Sequence, residues 1–123
     1  MIRFIFLDKK PIREYVNELP YSQFPGLRGF LHEVKAATPP GATVGLWLSQ
    51  AEADRNFYEL AYHRAVYELE GRHAIPLVYR NEQRFLIENL ERVNYVACWR
   101  CEPGFPDFRE VGRFQDGVLA ERR

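Results

Sequence analysis

The chain has 123 residues, a length typical of one compact domain, and its 17 basic residues balance 17 acidic ones. This neutrality removes the net positive field by which proteins attract nucleic acid or anionic lipid, so we expect no nucleic-acid partner. No apolar run approaches the roughly 18 residues of a membrane-spanning helix, and the start lacks a signal-peptide pattern. We therefore expect no direct membrane insertion and, for the chain as written, a cytoplasmic location.

The first part of the chain is predicted to be an arm followed by an amphipathic helix. Residues 1–23 form the N-terminal arm of a single α/β domain that spans residues 1–123. Apolar residues from position 27 onward recur at three-and-four spacing, which predicts a helix at about 25–37. The sequence Pro39-Pro40-Gly41 then predicts a turn, because proline lacks the amide donor that a helix needs.

A strand–helix–strand unit follows this turn. Residues 43–48 are almost wholly apolar, which is typical of a strand covered on both faces by helices. Ser49–Glu52 fits a capping box, and the helix that begins there runs to about Glu70, where Gly71 can adopt the left-handed turn that ends it. Residues 74–79 are the next predicted strand. Its Pro76 cannot donate a ladder hydrogen bond, so we expect an edge or a bulge there.

The remaining elements complete a small sheet. Asn81 is predicted to cap a short helix that carries Phe85, Leu86, Leu90 and Val93, and residues 95–100 form the third core strand. A hairpin is predicted for residues 108–121, because Asp116-Gly117 supplies the positive φ angles of tight turns. The predicted fold is α/β, a small open, mostly parallel sheet flanked by helices with a C-terminal β-hairpin. It is Rossmann-like without the nucleotide fingerprint.

The default ligand pocket of an open parallel sheet lies beyond the carboxyl ends of its strands. In this chain the pocket would gather Ser49, Gln50, Arg80, Asn81 and Arg100. No glycine-rich phosphate motif accompanies them, and no catalytic triad or carboxylate pair can be selected from spacing, so we assign no catalytic residue and expect no cofactor. A small cytoplasmic enzyme or ligand-binding protein that uses this pocket is one hypothesis.

Cys98 and Cys101 have the spacing of a redox dithiol or of half a zinc site. Glu102-Pro103-Gly104 follows at once and opposes the helix N-terminus that activates a thioredoxin-like dithiol. A structural zinc needs four ligands, and the three histidines show no paired spacing. We therefore expect no metal site, a buried structural Cys98 and a Cys101 near the strand end, both dispensable for activity.

Aromatic residues make up 15% of the chain, a share that suits a protein interface as well as a core. The long helix carries tyrosines on more than one face, and Tyr58 and Tyr62 are the candidates for contact with a partner. Glu68 and Glu70 are interpreted as a solvated helix end. A protein-interaction module is the second hypothesis, and a homo-oligomeric structural module is the third.

Several phrases occur in an order that points to one family: Phe24–Phe30, Pro39–Val44, Tyr62–Arg72, Ile75–Leu77, Asn94–Val96 and Phe114–Gly117. This order resembles the small α/β domain of multi-spanning bacterial glycosyltransferases that use lipid-linked sugars. The resemblance implies a non-catalytic accessory role, docking on a membrane enzyme or a glycan precursor. The family's catalytic carboxylates lie between membrane helices, so no acidic residue here inherits that role. If the chain is an excised domain, the resemblance implies the periplasmic or extracytoplasmic face.

Overall fold

A computed structural model describes residues 24–48, 58–81 and 84–123, with only the backbone described for residues 79–81 and 84–86. Within these ranges there are two α-helices, α1 (Leu27–Ala37) and α2 (Tyr58–Glu68). Five strands form the central sheet: β1 (Thr43–Leu48), β2 (His73–Pro76), β5 (Tyr95–Trp99), β6 (Phe108–Phe114) and β7 (Gly117–Arg122). Two more form a separate ribbon, β3 (Val78–Asn81) and β4 (Arg84–Ile87), and residues Leu90–Arg92 form a 3-10 turn.

The central sheet has the strand order β2-β1-β5-β7-β6. β1 pairs in parallel with β2 and with β5, whereas β7 pairs antiparallel with β5 and with β6. The predicted α/β class, the open sheet, the parallel pairing of its first strands and the C-terminal hairpin are therefore confirmed. Pro76 lies in β2 at the edge of the sheet, as its missing amide donor predicts.

The two connections on either side of β2 lie on opposite faces of the sheet. The chain leaves β1, adds β2 on one side, and then returns past β1 to add β5 on the other. Two right-handed connections that run in opposite directions along a sheet place their crossovers on opposite faces. α2 lies on the first connection, and residues 77–93 make the second. We call the side covered by α1 and α2 the helix face, and the other side the loop face.

The helix face contains the larger apolar cluster. Val44, Leu46 and Leu48 alternate along β1, are at most 2% exposed and pack in one cluster with both helices. α1 contributes buried side chains at the predicted helical spacing: Leu27, Phe30, Leu31 and Val34. Beyond α2, Gly71 has a φ of +89°, so the predicted left-handed turn is confirmed. The predicted capping box at the start of this helix lies outside the described residues.

The loop face carries a smaller cluster. Its buried members are Leu77, Val93, Val96, Phe108 and Ala120. Half-buried apolar side chains pack at its margin: Trp47, Ile75, Leu90 and Phe105. Because no α-helix within the described ranges belongs to this cluster, the expected helical cover on both faces is not found there. Among the described residues, the chain between β2 and β5 and the loop before β6 cover this face instead, through Leu77, Leu90, Val93 and Phe105.

In the described residues 81 and 84–93 the predicted helix capped by Asn81 does not form, because residue 81 ends β3, residues 84–87 form β4 and Leu90–Arg92 form the 3-10 turn. The predicted strand at 74–79 is split at Leu77 into β2 and β3. The second half of that strand pairs antiparallel with β4. Asn89 has a φ of +62°, through which an α-helix does not continue, and its Nδ2 donates to the Pro76 carbonyl at 2.9 Å. The short apolar run at 85–87 has too few residues for its periodicity to separate helix from strand.

The C-terminal hairpin forms where predicted, but the reason for its glycine is different. The turn residues are Gln115 and Asp116, and the structure records no positive φ at either of them or at Gly117. A Cβ atom on Gly117 would lie 2.4 Å from the Cys98 carbonyl oxygen and 2.6 Å from the Phe30 ring. Close approach of the neighbouring strand, and not turn geometry, therefore requires glycine at this position.

Candidate functional site

The five residues predicted to line a strand-end pocket fall in three parts of the chain. Ser49 and Gln50 lie outside the described residues, so their part of the prediction stays a prediction. Arg80 and Asn81 lie in β3, in the two-stranded ribbon, so the expectation that they follow a strand of the central sheet is wrong. Arg100 follows β5 directly, as predicted.

Arg100 holds three parts of the fold together at the end of β5. It has a φ of +56°, a conformation that costs a non-glycine residue about 1 to 2 kcal/mol. Its backbone N–H donates to the Asp116 carbonyl at 2.8 Å, and its Nη2 donates to the Pro25 carbonyl at 2.9 Å. Its guanidinium carbon lies 4.5 Å from the centroid of the buried Trp99 ring. Arg100 thus links β5 to the hairpin turn and to the chain segment before α1.

Cys98 and Cys101 form a disulfide. Cys98 is fully buried in β5 and Cys101 is half-buried beyond the strand end, which confirms both predicted positions but adds a bond that was not predicted. The residues after Cys101 form irregular chain and no helix begins there, as Glu102-Pro103-Gly104 predicts. Cys101 and Arg113 lie among the residues that line a surface cleft of about 270 Å³.

Tyr58 is a buried structural residue, so the expectation that it is exposed to a partner is wrong. Its side chain is 6% exposed, and its hydroxyl donates to the Leu46 carbonyl and accepts from the Leu77 N–H at 2.8 Å. Burial raises the pKa of the Tyr58 hydroxyl above its usual range. The hydroxyl thus bridges β1 and the chain between β2 and β3.

Tyr62 lies one helical turn after Tyr58, and it is half-buried. The two rings stack with a centroid distance of 6.5 Å, and the Tyr62 hydroxyl donates to the Ala74 carbonyl at 3.1 Å. This hydrogen bond ties α2 to the edge strand β2. A partner contact through the exposed part of the Tyr62 ring stays a prediction.

The outward face of α2 was not singled out by the sequence patterns. Three large apolar side chains of this 11-residue helix are exposed: Leu60 (43%), Val66 (48%) and Tyr67 (42%). The signal in the sequence was present, because the apolar residues of α2 surround the helix instead of forming one stripe. A wholly buried helix gives the same pattern, so the sequence alone could not place these side chains on the surface.

A buried carboxylate joins α1 to α2. The side chain of Glu68 is 6% exposed, and its oxygens lie 2.9 Å from His32 Nε2 and 3.0 Å from Arg64 Nη2, with Arg28 Nε at 3.7 Å. Interpretation of Glu68 as part of a solvated helix end is therefore wrong, although Glu70 is exposed. The i,i+4 spacing of Arg64 and Glu68 was visible, but this spacing is equally typical of exposed pairs.

A second ion cluster lies on the exposed side of the hairpin. Arg113 donates to both carboxylate oxygens of Glu102 at 2.9 Å and to Glu110 at 2.7 Å. The hydrogen bonds from Arg113 lower the pKa of the Glu102 carboxyl. Together with the ion pair between Arg109 and Glu121, these charges flank the edge strand β6, where they oppose pairing with a further strand.

Comparison with protein-family models, with curated proteins and with solved structures finds no match to this chain. Among the residues that the structure describes, no group of three or more His, Cys, Asp or Glu side chains is placed to hold a metal ion. Within the same three ranges, no helix has both the length and the apolar character needed to cross a membrane. A functional proposal therefore depends on the geometry of the chain's own residues.

Proposed function

We propose that the chain is a non-catalytic interaction module that binds a protein partner through the outward face of α2. The observation that carries this proposal is the concentration of exposed apolar side chains on one helix. Of the five large apolar residues that are exposed within the described ranges, three lie on α2: Leu60, Val66 and Tyr67. The solvent side of a surface helix is normally polar, and grouped apolar side chains mark interaction sites.

These three side chains define the width of the proposed contact. At 100° per residue, they span an arc of about 120° on the helix, with Leu60 beside Tyr67 and Val66 at the opposite margin. The guanidinium carbon of Arg64 lies 5.1 Å from the centroid of the Tyr67 ring. This contact restricts the Tyr67 side chain before a partner binds. Ordering Tyr67 in the complex would therefore cost less side-chain entropy.

The charges on this face indicate the chemistry of the partner. Glu59 and Glu70 are exposed near the two ends of the apolar group, and His63 is exposed between them. We expect a partner surface with apolar side chains flanked by Lys or Arg. The same charges disfavour the homo-oligomer alternative. An antiparallel pair of α2 helices about a two-fold axis would bring Glu59 of one protomer towards Glu70 of its partner.

A more specific proposal concerns the class of partner. The order of the phrases that resemble the soluble domain of lipid-linked-sugar glycosyltransferases supports a multi-spanning membrane glycosyltransferase, present as a separate protein or as the rest of a longer chain. Several of these phrases fall at turns and element ends, such as Pro39–Val44 before β1 and Phe114–Gly117 in the hairpin. They therefore support an architecture that this chain shares with that soluble domain. A catalytic role is not part of the proposal, because fold alone does not imply activity.

The test compares binding by two double variants. Leu60→Ser with Tyr67→Ser removes the adjacent apolar pair of α2, and Ile87→Ser with Val111→Ser removes two comparably exposed side chains elsewhere. A partner captured from the native host is identified, purified and titrated against each protein. We expect the α2 variant to weaken binding at least about tenfold, which corresponds to about 1.4 kcal/mol, with the control unchanged. Equal binding by the two variants would show that α2 is not the contact surface.

The enzyme or ligand-binding alternative has one observation in its favour. Arg100 and Cys101, at the carboxyl end of β5, are among the residues that line a cleft of about 270 Å³. If the purified protein turns over a sugar nucleotide or another small molecule, and Ser49→Ala or Arg100→Ala abolishes that turnover without unfolding the chain, this alternative replaces the interaction module.

A further inference from the structure

We propose that the Cys98–Cys101 disulfide is a thiol-exchange site that a dithiol can reduce in the folded protein, and that its reduction releases Arg100 from the start of α1. Cys101 is the sulfur that receives the attack, and Cys98 is the sulfur that leaves. This inference goes beyond the interaction module, because it concerns a covalent bond at the end of β5 and does not depend on any partner.

The different burial of the two sulfurs sets the direction of the exchange. Cys98 is fully buried on the loop face, where no reagent reaches it in the folded protein. Cys101 is half-buried and lines the cleft of about 270 Å³ at the end of β5, so a thiolate can approach its sulfur without unfolding of the sheet. Access to the attacked sulfur is one of the main determinants of the exchange rate.

The position of the disulfide in the chain argues against a mainly structural role. It joins residues three apart, so the closed loop is very short, and the stabilisation that a crosslink gives through chain entropy is smallest for such loops. The bond connects no separate elements of the fold. Its main effect is therefore local, on the two residues that it encloses, Trp99 and Arg100.

The thiol of reduced Cys101 has a hydrogen-bond acceptor nearby. Cys101 Sγ lies 3.5 Å from the Trp47 carbonyl oxygen. A disulfide sulfur carries no proton, so this oxygen receives no S–H hydrogen bond in the oxidised state. A thiol at the same position can donate to it, which stabilises reduced Cys101 with little movement.

The chemical step is balanced with a dithiol as the reductant. One thiolate of the dithiol attacks Cys101 Sγ, the Cys98–Cys101 bond breaks, and its electron pair goes to Cys98 Sγ, which takes up a proton. The second thiolate then attacks the reductant sulfur of the mixed disulfide, closes the oxidised reductant and releases Cys101, which is protonated. The protein gains two electrons and two protons, and the dithiol loses the same number.

The consequence for the fold passes through Arg100. The disulfide closes around this residue while it holds a φ of +56°, a conformation that non-glycine residues rarely adopt. In that conformation its Nη2 donates to the Pro25 carbonyl at 2.9 Å and its guanidinium covers the Trp99 ring. Opening the ring lets Arg100 return to a negative φ, and its side chain then leaves Pro25. The first turn of α1, in which the Phe30 N–H donates to the Gly26 carbonyl, loses this support.

The first experiment measures reduction of the intact chain by dithiothreitol at increasing urea below the unfolding transition. After each time point the reductant is removed, and the sample is denatured, alkylated with iodoacetamide and analysed by mass spectrometry, so that the buried Cys98 is labelled as well as Cys101. We expect reduction of both cysteines at a rate that does not depend on urea. A rate that rises with urea in proportion to the unfolded fraction would show that the bond is reached only by unfolding, and would overturn the proposal.

The variants Cys98→Ala and Cys101→Ala provide a matched pair with one thiol each. The Cys101 thiol that remains in Cys98→Ala should react with a disulfide reagent at least about 100-fold faster than the Cys98 thiol that remains in Cys101→Ala. Equal rates in the folded variants would also overturn it.

The second experiment tests the release of Arg100 by hydrogen exchange. We expect the Phe30 amide to exchange at least about tenfold faster in the reduced protein than in the oxidised one. The Arg100→Gly variant retains a backbone that tolerates positive φ but lacks the side chain, so its Phe30 amide should exchange fast in both redox states. Unchanged exchange at Phe30 on reduction of the wild-type chain would show that Arg100 is not released.

Discussion

The two faces of the central sheet are covered by different kinds of structure. On the helix face, α1 and α2 cover alternate residues of β1 that are almost wholly buried. On the loop face, irregular chain covers a smaller cluster whose margin, including Trp47 and Ile75, is only half-buried. The interaction surface that we propose lies on the outside of the helix face, whereas the disulfide lies on the loop face.

The comparison shows how each face satisfies its backbone polar groups. Helices satisfy their own carbonyls except at the ends, and Arg72 donates to the Lys35 carbonyl at 2.9 Å near the end of α1. Irregular chain needs more side-chain donors. On the loop face, Arg122 donates to the Val93 carbonyl at 2.9 Å and to the Leu90 carbonyl, and Asn89 donates to Pro76. A loop can cover a sheet only if such donors are present.

The largest effect is expected at Gly117, whose Cα faces Phe30 of the helix-face cluster. Gly117→Ala places a Cβ against the Cys98 backbone oxygen and the Phe30 ring, so the pairing of β5 with β7 must shift. We expect a loss of about 3 kcal/mol or more in the free energy of unfolding, measured by urea denaturation. Gly104→Ala is the control, because no described atom lies within 4 Å of the position of its Cβ. If both variants lose a similar, small amount of unfolding free energy, then β5 and β7 can move apart to accommodate the Cβ atom without destabilising the protein.

A direct comparison of the faces comes from one truncation on each. Leu46→Ala empties a fully buried site on the helix face and should destabilise the protein by about 3 kcal/mol. Ile75→Ala acts on a half-buried side chain of the loop face and should cost about half as much, because less apolar surface is removed. Urea denaturation measures both. If Ile75→Ala costs as much as Leu46→Ala, the loop face is as tightly packed as the helix face.

A smaller effect is expected at Tyr58, whose hydroxyl lies between the two faces. Tyr58→Phe leaves the Leu77 N–H without its buried acceptor, which should cost about 2 kcal/mol. Because the pKa of Tyr58 is raised in the folded state, its contribution is complete below the unfolded pKa of about 10 and is lost as the pH rises above it. The variant should therefore lose stability less steeply than the wild type in alkaline urea titrations. Tyr67→Phe, on the exposed side of α2, is the control and should have the free energy of unfolding of the wild type at pH 7.

The helix face could be predicted from the sequence because its elements have clear periods. The apolar spacing of α1, the continuous run of β1 and the glycine after α2 each specify one conformation. The loop face could not be predicted in the same way. Residues 84–87 fit helix and strand equally, and the left-handed conformation of Asn89 depends on its hydrogen bond to Pro76, a contact 13 positions distant in sequence.

The candidate site was predicted less well than the fold, for a related reason. Order along the chain cannot show which side of a helix is covered, so Tyr58 was expected outside and Glu68 in solvent. Both assignments depend on the packing of α2 against the sheet and against α1. The positions of Cys98 and Cys101 followed from strand patterning, whereas their bond could not be deduced from spacing shared with metal sites.

The smallest effect is expected at the ion cluster of Arg113, Glu102 and Glu110. Glu102 is exposed, and the hydrogen bonds from Arg113 lower its pKa in the folded state. Its contribution is therefore present above the unfolded pKa and is lost as the pH falls through the folded pKa. We expect Glu102→Gln to reduce the difference in urea midpoint between pH 7 and pH 3 slightly, and to have less effect still in high salt, since screening weakens exposed pairs.

The matched control for this variant is Glu91→Gln, which removes an exposed carboxylate for which the structure records no ion pair among the described residues. It should leave the urea midpoint at pH 7 as it is in the wild type. If Glu102→Gln instead lowers stability as much as Leu46→Ala does, the hairpin charges support the loop face far more than their exposure indicates. The difference between the two faces would then lie in electrostatics and not in apolar burial.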